Sequence, residues 1–165
     1  MAPALLCTHG GMRSALGRVW FVLAAVVFTT GCSATGMGSM PYFLDPTTKT
    51  SFGFVFDGIT QTFSGSYHDK ARDVDLKGTG VLKAQPPPVG VKSKGGCVGG
   101  DMVPYQSQNP NNPGEGFLIL VLCDADGSGG PSGDDFMAIQ VLDGPYAGYL
   151  NSGTPNGNIT VTGGG

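Results

Sequence analysis

The chain has 165 residues and a formal net charge of −3, with 40% hydrophobic but only 13% charged residues, 29 Gly and 12 Pro. That length allows one domain and a targeting segment; so little charge argues against a coiled coil or a charged disordered tail, and so much Gly and Pro disfavours helix and favours short strands joined by turns. Beyond Lys94 the chain carries Asp101, Glu115, Asp124, Asp126, Asp134, Asp135 and Asp143 but no Lys, Arg or His, which argues against phosphate, and hence nucleic acid, as a partner.

Residues 19–28 are apolar without a break, with Arg13 and Arg18 before them and Gly31 and Cys32 after. A positive stretch, an apolar run and small residues, in that order, are the signature of a secretory signal, here a signal-sequence helix within residues 1–31. The run is well short of the roughly 20 residues that span a bilayer as a helix. Residues 1–11 hold no basic side chain, whereas Met12-Arg13-Ser14 opens an ordinary signal. Translation is therefore expected to start at Met12, which leaves Cys7 and His9 outside the protein.

Thr29-Thr30-Gly31-Cys32 resembles the lipobox of bacterial lipoproteins, with Thr29 where that motif usually has Leu. The resemblance implies that Cys32 is lipidated, becomes the first residue of the mature chain and attaches it to a membrane. A single acyl chain anchors only marginally, and the two or three chains of this family hold firmly. The other reading is plain secretion, with cleavage near Ala34. Residues 32–48, rich in Gly and Ser up to Met40, are expected to be a flexible tether, followed by one β-domain over 49–163.

In that domain residues 51–56 alternate, with Phe52, Phe54 and Phe56 on one side, as in a half-buried strand. Asp57-Gly58 turns the chain into a second strand over 59–66, with Ile59, Phe63 and Tyr67 as its large residues. Residues 74–82 make a third, with Val74, Leu76 and Val81 inward, ended by three successive prolines at 86–88. Residues 96–105 and 117–123 are expected to be the arms of a hairpin about the loop Asn109-Pro110-Asn111-Asn112-Pro113-Gly114. Residues 117–122 are continuously apolar and predict a strand buried on both faces. Residues 136–142 alternate again, with Met137, Ile139 and Val141 on one side; 149–154 and 158–162 are expected to close the chain as a last hairpin about Pro155-Asn156-Gly157. No segment has a helical period. The fold expected is all-β: a small antiparallel sandwich or partly closed barrel.

The hairpin places Cys97 opposite Cys123, because the two are symmetric about residue 110. In an exported protein such a pair predicts a disulfide, and adjacent strands bring β-carbons near enough for one. Two cysteines alone make a poor metal site.

The C-terminal third resembles a small β-domain family found at the ends of secreted bacterial proteins. The resemblance lies in Gly133-Asp134-Asp135-Phe136, Gly148-Tyr149-Leu150-Asn151-Ser152-Gly153-Thr154 and Gly157-Asn158-Ile159, with Phe52-Gly53-Phe54 and Tyr67-His68-Asp69 upstream. It implies a fold over roughly residues 51–162 and no activity. The cysteine pair and the loop over 106–116 depart from its usual pattern.

Two local patterns carry chemistry. His68 stands beside Asp69 and near Ser64 and Ser66, the ingredients of a hydrolase, although adjacent residues in a strand point to opposite faces. Residues 124–135 place Asp124, Asp126, Ser128 and Asp135 at positions 1, 3, 5 and 12 of a calcium-type loop, with Pro131 and a short terminal acid against it; the other reading is a Gly-rich connection. The expectation is an exported, lipid-anchored cell-envelope domain of non-catalytic structural or binding role, with no required cofactor and a protein or surface-polymer partner. The alternatives are a calcium-stabilised surface module, a hydrolase using His68, or a carrier of small apolar ligands in a hollow barrel.

Overall fold

A computed structural model of the chain describes residues 32–127 and 134–162. The expected signal sequence, Ser128 and the middle of the acidic loop lie outside the described residues. Ten strands follow one another: β1 (Ser33–Tyr42), β2 (Asp45–Asp57), β3 (Thr62–Asp69), β4 (Val74–Val81), β5 (Lys83–Gln85), β6 (Gly96–Ser107), β7 (Glu115–Asp124), β8 (Phe136–Val141), β9 (Leu150–Gly153) and β10 (Asn156–Thr162). One 3-10 turn, Gly144–Tyr146, is the only helical element among the described residues. The strands form a single antiparallel sheet in the order β10-β1-β2-β3-β4-β6-β7-β8-β9, with β5 paired to β6, and the sheet curls into a half-barrel.

The alternation read from β2 and β8 holds. Phe52, Phe54 and Phe56 face the core, as do Met137, Ile139 and Val141. Phe63 and Tyr67 from β3 and Val74 and Leu76 from β4 join them. Burying a large apolar side chain contributes roughly 1.5–3 kcal/mol, so this inner face supplies the main driving force. Glycines opposite the rings let the sheet coil tightly. Phe54 sits between Gly36 of β1 and Gly65 of β3. A β-carbon on Gly65 would lie 2.7 Å from Phe63 Cζ and 2.9 Å from Phe54 Cβ.

The same packing explains the main departure from expectation. Residues 32–48 are not a tether: 33–42 form β1, hydrogen-bonded to β2 on one side and β10 on the other, and β2 already begins at Asp45. Gly36 and Gly38 made the segment look flexible, yet each is small because a neighbour occupies the space. A β-carbon on Gly36 would meet the Phe54 ring at 2.5 Å, and one on Gly38 the Asn156 carbonyl at 2.6 Å.

Cys97 pairs with Cys123 across β6 and β7, and the two form a disulfide, as the symmetry about residue 110 implied. A bulge at Asp101 and Met102 shifts the register by one residue before Val103 meets Leu118. β7 is not buried on both faces. Leu118, Leu120 and Leu122 are buried, while Phe117 is exposed and Ile119 and Val121 are half-buried on the outer side. Ile59 lies in the turn before β3 and Val81 points outward, so neither joins the core. Leu142 falls beyond β8 and is exposed.

The last hairpin does not form. β9 pairs with β8, whereas β10 crosses to the other side of the half-barrel and pairs with β1. Pro155 separates the two strands, and Asn151 of β9 is directed at the end of β1, accepting from Phe43 N at 3.0 Å and donating to Pro41 O at 3.4 Å. The crossing buries Ile159 and Val161 and brings β10 against β7.

Candidate functional site

The acidic loop residues are where the two sides of the curled sheet meet. One edge of β10 is paired with β1, which leaves the amides of Ile159 and Val161 pointing away from that ladder. Asp135 Oδ2 accepts from Ile159 N at 2.7 Å and Asp124 Oδ2 from Val161 N at 3.0 Å. The second oxygens hold their own segment: Asp135 Oδ1 takes Ala125 N at 3.0 Å and Asp124 Oδ1 takes Gly127 N at 2.7 Å. Both carboxylates are buried. An ionised acid is acceptor-only, so it suits the outward-pointing amides of Ile159 and Val161, and such bonds are about twice as strong as neutral ones. Capping the edge also removes a template for pairing with another chain.

This arrangement places the proposed calcium ligands as follows. Asp124 and Asp135 face the amides of β10, Asp126 is exposed, and Ser128 lies outside the described residues. Among the described residues no three His, Cys, Asp or Glu side chains cluster as a metal site.

At the opposite end of the barrel lies a polar chain built on Asp69, which the sequence set beside His68 but did not connect to Arg72, Tyr149, Tyr67 or Asn151. Arg72 Nη1 meets Asp69 Oδ2 at 3.3 Å; Tyr149 donates to the same oxygen at 2.9 Å. Tyr67 lies 2.8 Å from the Tyr149 hydroxyl, and Asn151 Nδ2 donates to Tyr67 at 2.8 Å. Because Asp69 can only accept, Tyr149 must donate to it, and Tyr67 must then donate to Tyr149. The proton direction along the chain is therefore fixed from Asn151 to Asp69. Burial raises both phenols above the ordinary tyrosine range, and for Tyr149 the neighbouring Tyr67 and Asp69 add to it. Arg72 also sits 3.2 Å above the centre of the Tyr42 ring. With Asn151 gripping Pro41 and Phe43, this network holds β9 to the end of β1.

His68 does not stand with Asp69, which points inward. It pairs with Asp75 across the outer face, Nδ1 to Oδ2 at 3.6 Å, and Ser51 lies beside it on β2. Ser51, His68 and Asp75 thus share one row on an exposed sheet surface. Ser64 and Ser66 are exposed on the same strand. Inside the half-barrel, Phe52, Phe63, Leu76 and Met137 help to line a space of about 20 Å³. That is room for about one water molecule.

Cys32 is buried at the entrance to β1, against the Gly58 turn, and its sulfur is engaged in a disulfide. No protein-family model matches the chain, and no curated protein or solved structure matches it.

Proposed function

We propose that the chain works outside the cytoplasm, at a bacterial cell envelope, as a non-catalytic structural or binding domain held to a membrane through lipid on Cys32. The observation that carries this reading is the Cys97–Cys123 disulfide, buried between β6 and β7. Such bonds persist in oxidising compartments and are rare in the cytosol. The order of Arg13 and Arg18, the apolar residues 19–28 and Gly31-Cys32 supplies a route there.

The non-catalytic part is supported by what the polar groups do. Asp69, Asp124, Asp135 and Asn151 satisfy the protein's own backbone and side chains at the two ends of the barrel. The His68 row lies on an exposed face of the sheet. Partners would then be recognised by the outer sheet surface or its loops.

A thioether to lipid and a disulfide cannot share one sulfur, so lipidation requires Cys32 to be a free thiol when the diacylglycerol is transferred to it. The test is to express the whole tagged chain in a bacterium, fractionate the cells and weigh the purified product. A membrane-bound chain that begins at Cys32 with added diacylglycerol, keeps one disulfide, and becomes soluble on Cys32→Ser supports the reading. A full-length cytosolic chain with reduced Cys97 and Cys123 overturns it.

A further inference from the structure

We propose that the turn over residues 86–91, with Lys83, Lys92 and Lys94 at its base, is a finger that rests on the anionic phospholipid surface in which the chain is anchored. This rests on the reading of Cys32 as the anchor. β1 begins at Ser33, so nothing separates the anchor from the sheet. The domain must then lie with one end flush against the bilayer. Ser33 pairs with Thr162, Val161 N binds Asp124, and the Asp124 carbonyl accepts from Gly95 N, so the base of the finger shares that end with Cys32.

The finger is rigid by construction. Three prolines lead into it, and Val91 N donates to Pro88 O at 3.0 Å with Gly90 at φ 86°, which makes a type II turn with Val89 at its tip. Its base is tied down by Lys94 N to Ala125 O at 3.0 Å and by Ser93 Oγ to the Asp124 carbonyl at 2.7 Å. Val89 is fully exposed, and Ile59, in the turn that packs on Cys32, is 71% exposed. A preorganised turn that holds an apolar side chain in water gains by placing it in the bilayer interface, with little further ordering to offset the gain. Asp57, Asp126 and Asp134 share this end, but the finger's own segment, residues 82–100, carries three lysines and no acid. Lysines beside an anionic leaflet favour contact.

Trp20 is the only tryptophan and precedes Cys32, so the processed chain has none. Val89→Trp therefore introduces a single reporter, and Leu44→Trp, in the turn between β1 and β2 at the other end, is the control. Both side chains are exposed, so neither change disturbs the core. The lipidated proteins are reconstituted into phosphatidylglycerol vesicles whose acyl chains are brominated, after their mass has established the lipid. Several-fold stronger bromine quenching of the indole at position 89 than of that at position 44 is expected. Equal quenching in a lipidated protein overturns the finger and leaves the anchor standing. A product without lipid overturns both.

Discussion

Asp135→Ala tests whether the acidic loop is a seam of the fold. The side chain is fully buried and accepts two backbone amides, Ala125 N at 3.0 Å and Ile159 N at 2.7 Å. Removing it strands two buried donors at about 1–3 kcal/mol each, so the loss should lie at about 2–6 kcal/mol. That is a large share of a stability of about 5–15 kcal/mol. Asp135→Asn keeps one acceptor but turns an NH₂ toward the other amide, and should fall between alanine and wild type. Asp126→Ala, at an exposed position, should stay within about 0.5 kcal/mol. Urea unfolding followed by far-ultraviolet circular dichroism measures all four proteins. With a slope of about 1–3 kcal/mol per molar, the Asp135→Ala midpoint should drop by roughly 1 M or more. Adding calcium should leave the wild-type midpoint in place, whereas a loop that used these acids as ligands would gain about 2.7 kcal/mol at a hundredfold excess over Kd. An Asp135→Ala midpoint equal to wild type, or a calcium-dependent rise lost in that variant, refutes the seam.

Reducing Cys97–Cys123, or replacing both with Ser, frees a loop of 26 residues. The chain-entropy relation gives a loss of about 3.5 kcal/mol, read as a lower thermal midpoint in reductant. Gly65→Ala drives a methyl into Phe63 and Phe54 and should destabilise by about 1–3 kcal/mol, whereas Gly53→Ala meets nothing within 4 Å on the outer face and should be tolerated; paired urea curves compare them. The phenols of Tyr67 and Tyr149 have raised pKa values in the folded state. Above the ordinary tyrosine value of about 10 the unfolded chain loses protons first, so stability is full below that pH and declines as pH rises past it. An alkaline titration of stability should show this decline, reduced in Tyr149→Phe.

The strands whose side chains alternate were legible because period-two burial is written locally. Phe52, Phe54 and Phe56, or Met137, Ile139 and Val141, need no partner to be recognised. The hairpin of β6 and β7 was legible too, since its turn and its cysteines lie in one continuous stretch. β1 was not, because the reason for Gly36 and Gly38 is the Phe54 ring and the β10 backbone, which are distant in the chain. The destination of β10 was hidden for the same reason. It depends on carboxylates at 124 and 135 and an amide at 151 reaching across the barrel. Asp124 and Asp135 were picked out as oxygen ligands, and they are acceptors, but a lone sequence cannot say whether a cation or an amide faces them. Tyr149 and Asn151 gave no signal beyond a strand and a turn.

β1 lies inside the sheet, between β2 and β10, and runs from Cys32 toward the far end. Tension on an anchor at Cys32 would act along β1 and load both ladders in shear at once, across every pair from Ala34 to Ser39. The outer of those two strands, β10, is itself clamped to the body of the barrel by Asp124 and Asp135, so it cannot follow β1 without breaking charge-assisted bonds. At the other end Asn151 holds Pro41 and Phe43. An anchor joined to an edge strand would let that strand peel one bond at a time. An anchor at Cys32 would instead come free only when many hydrogen bonds of both ladders fail together.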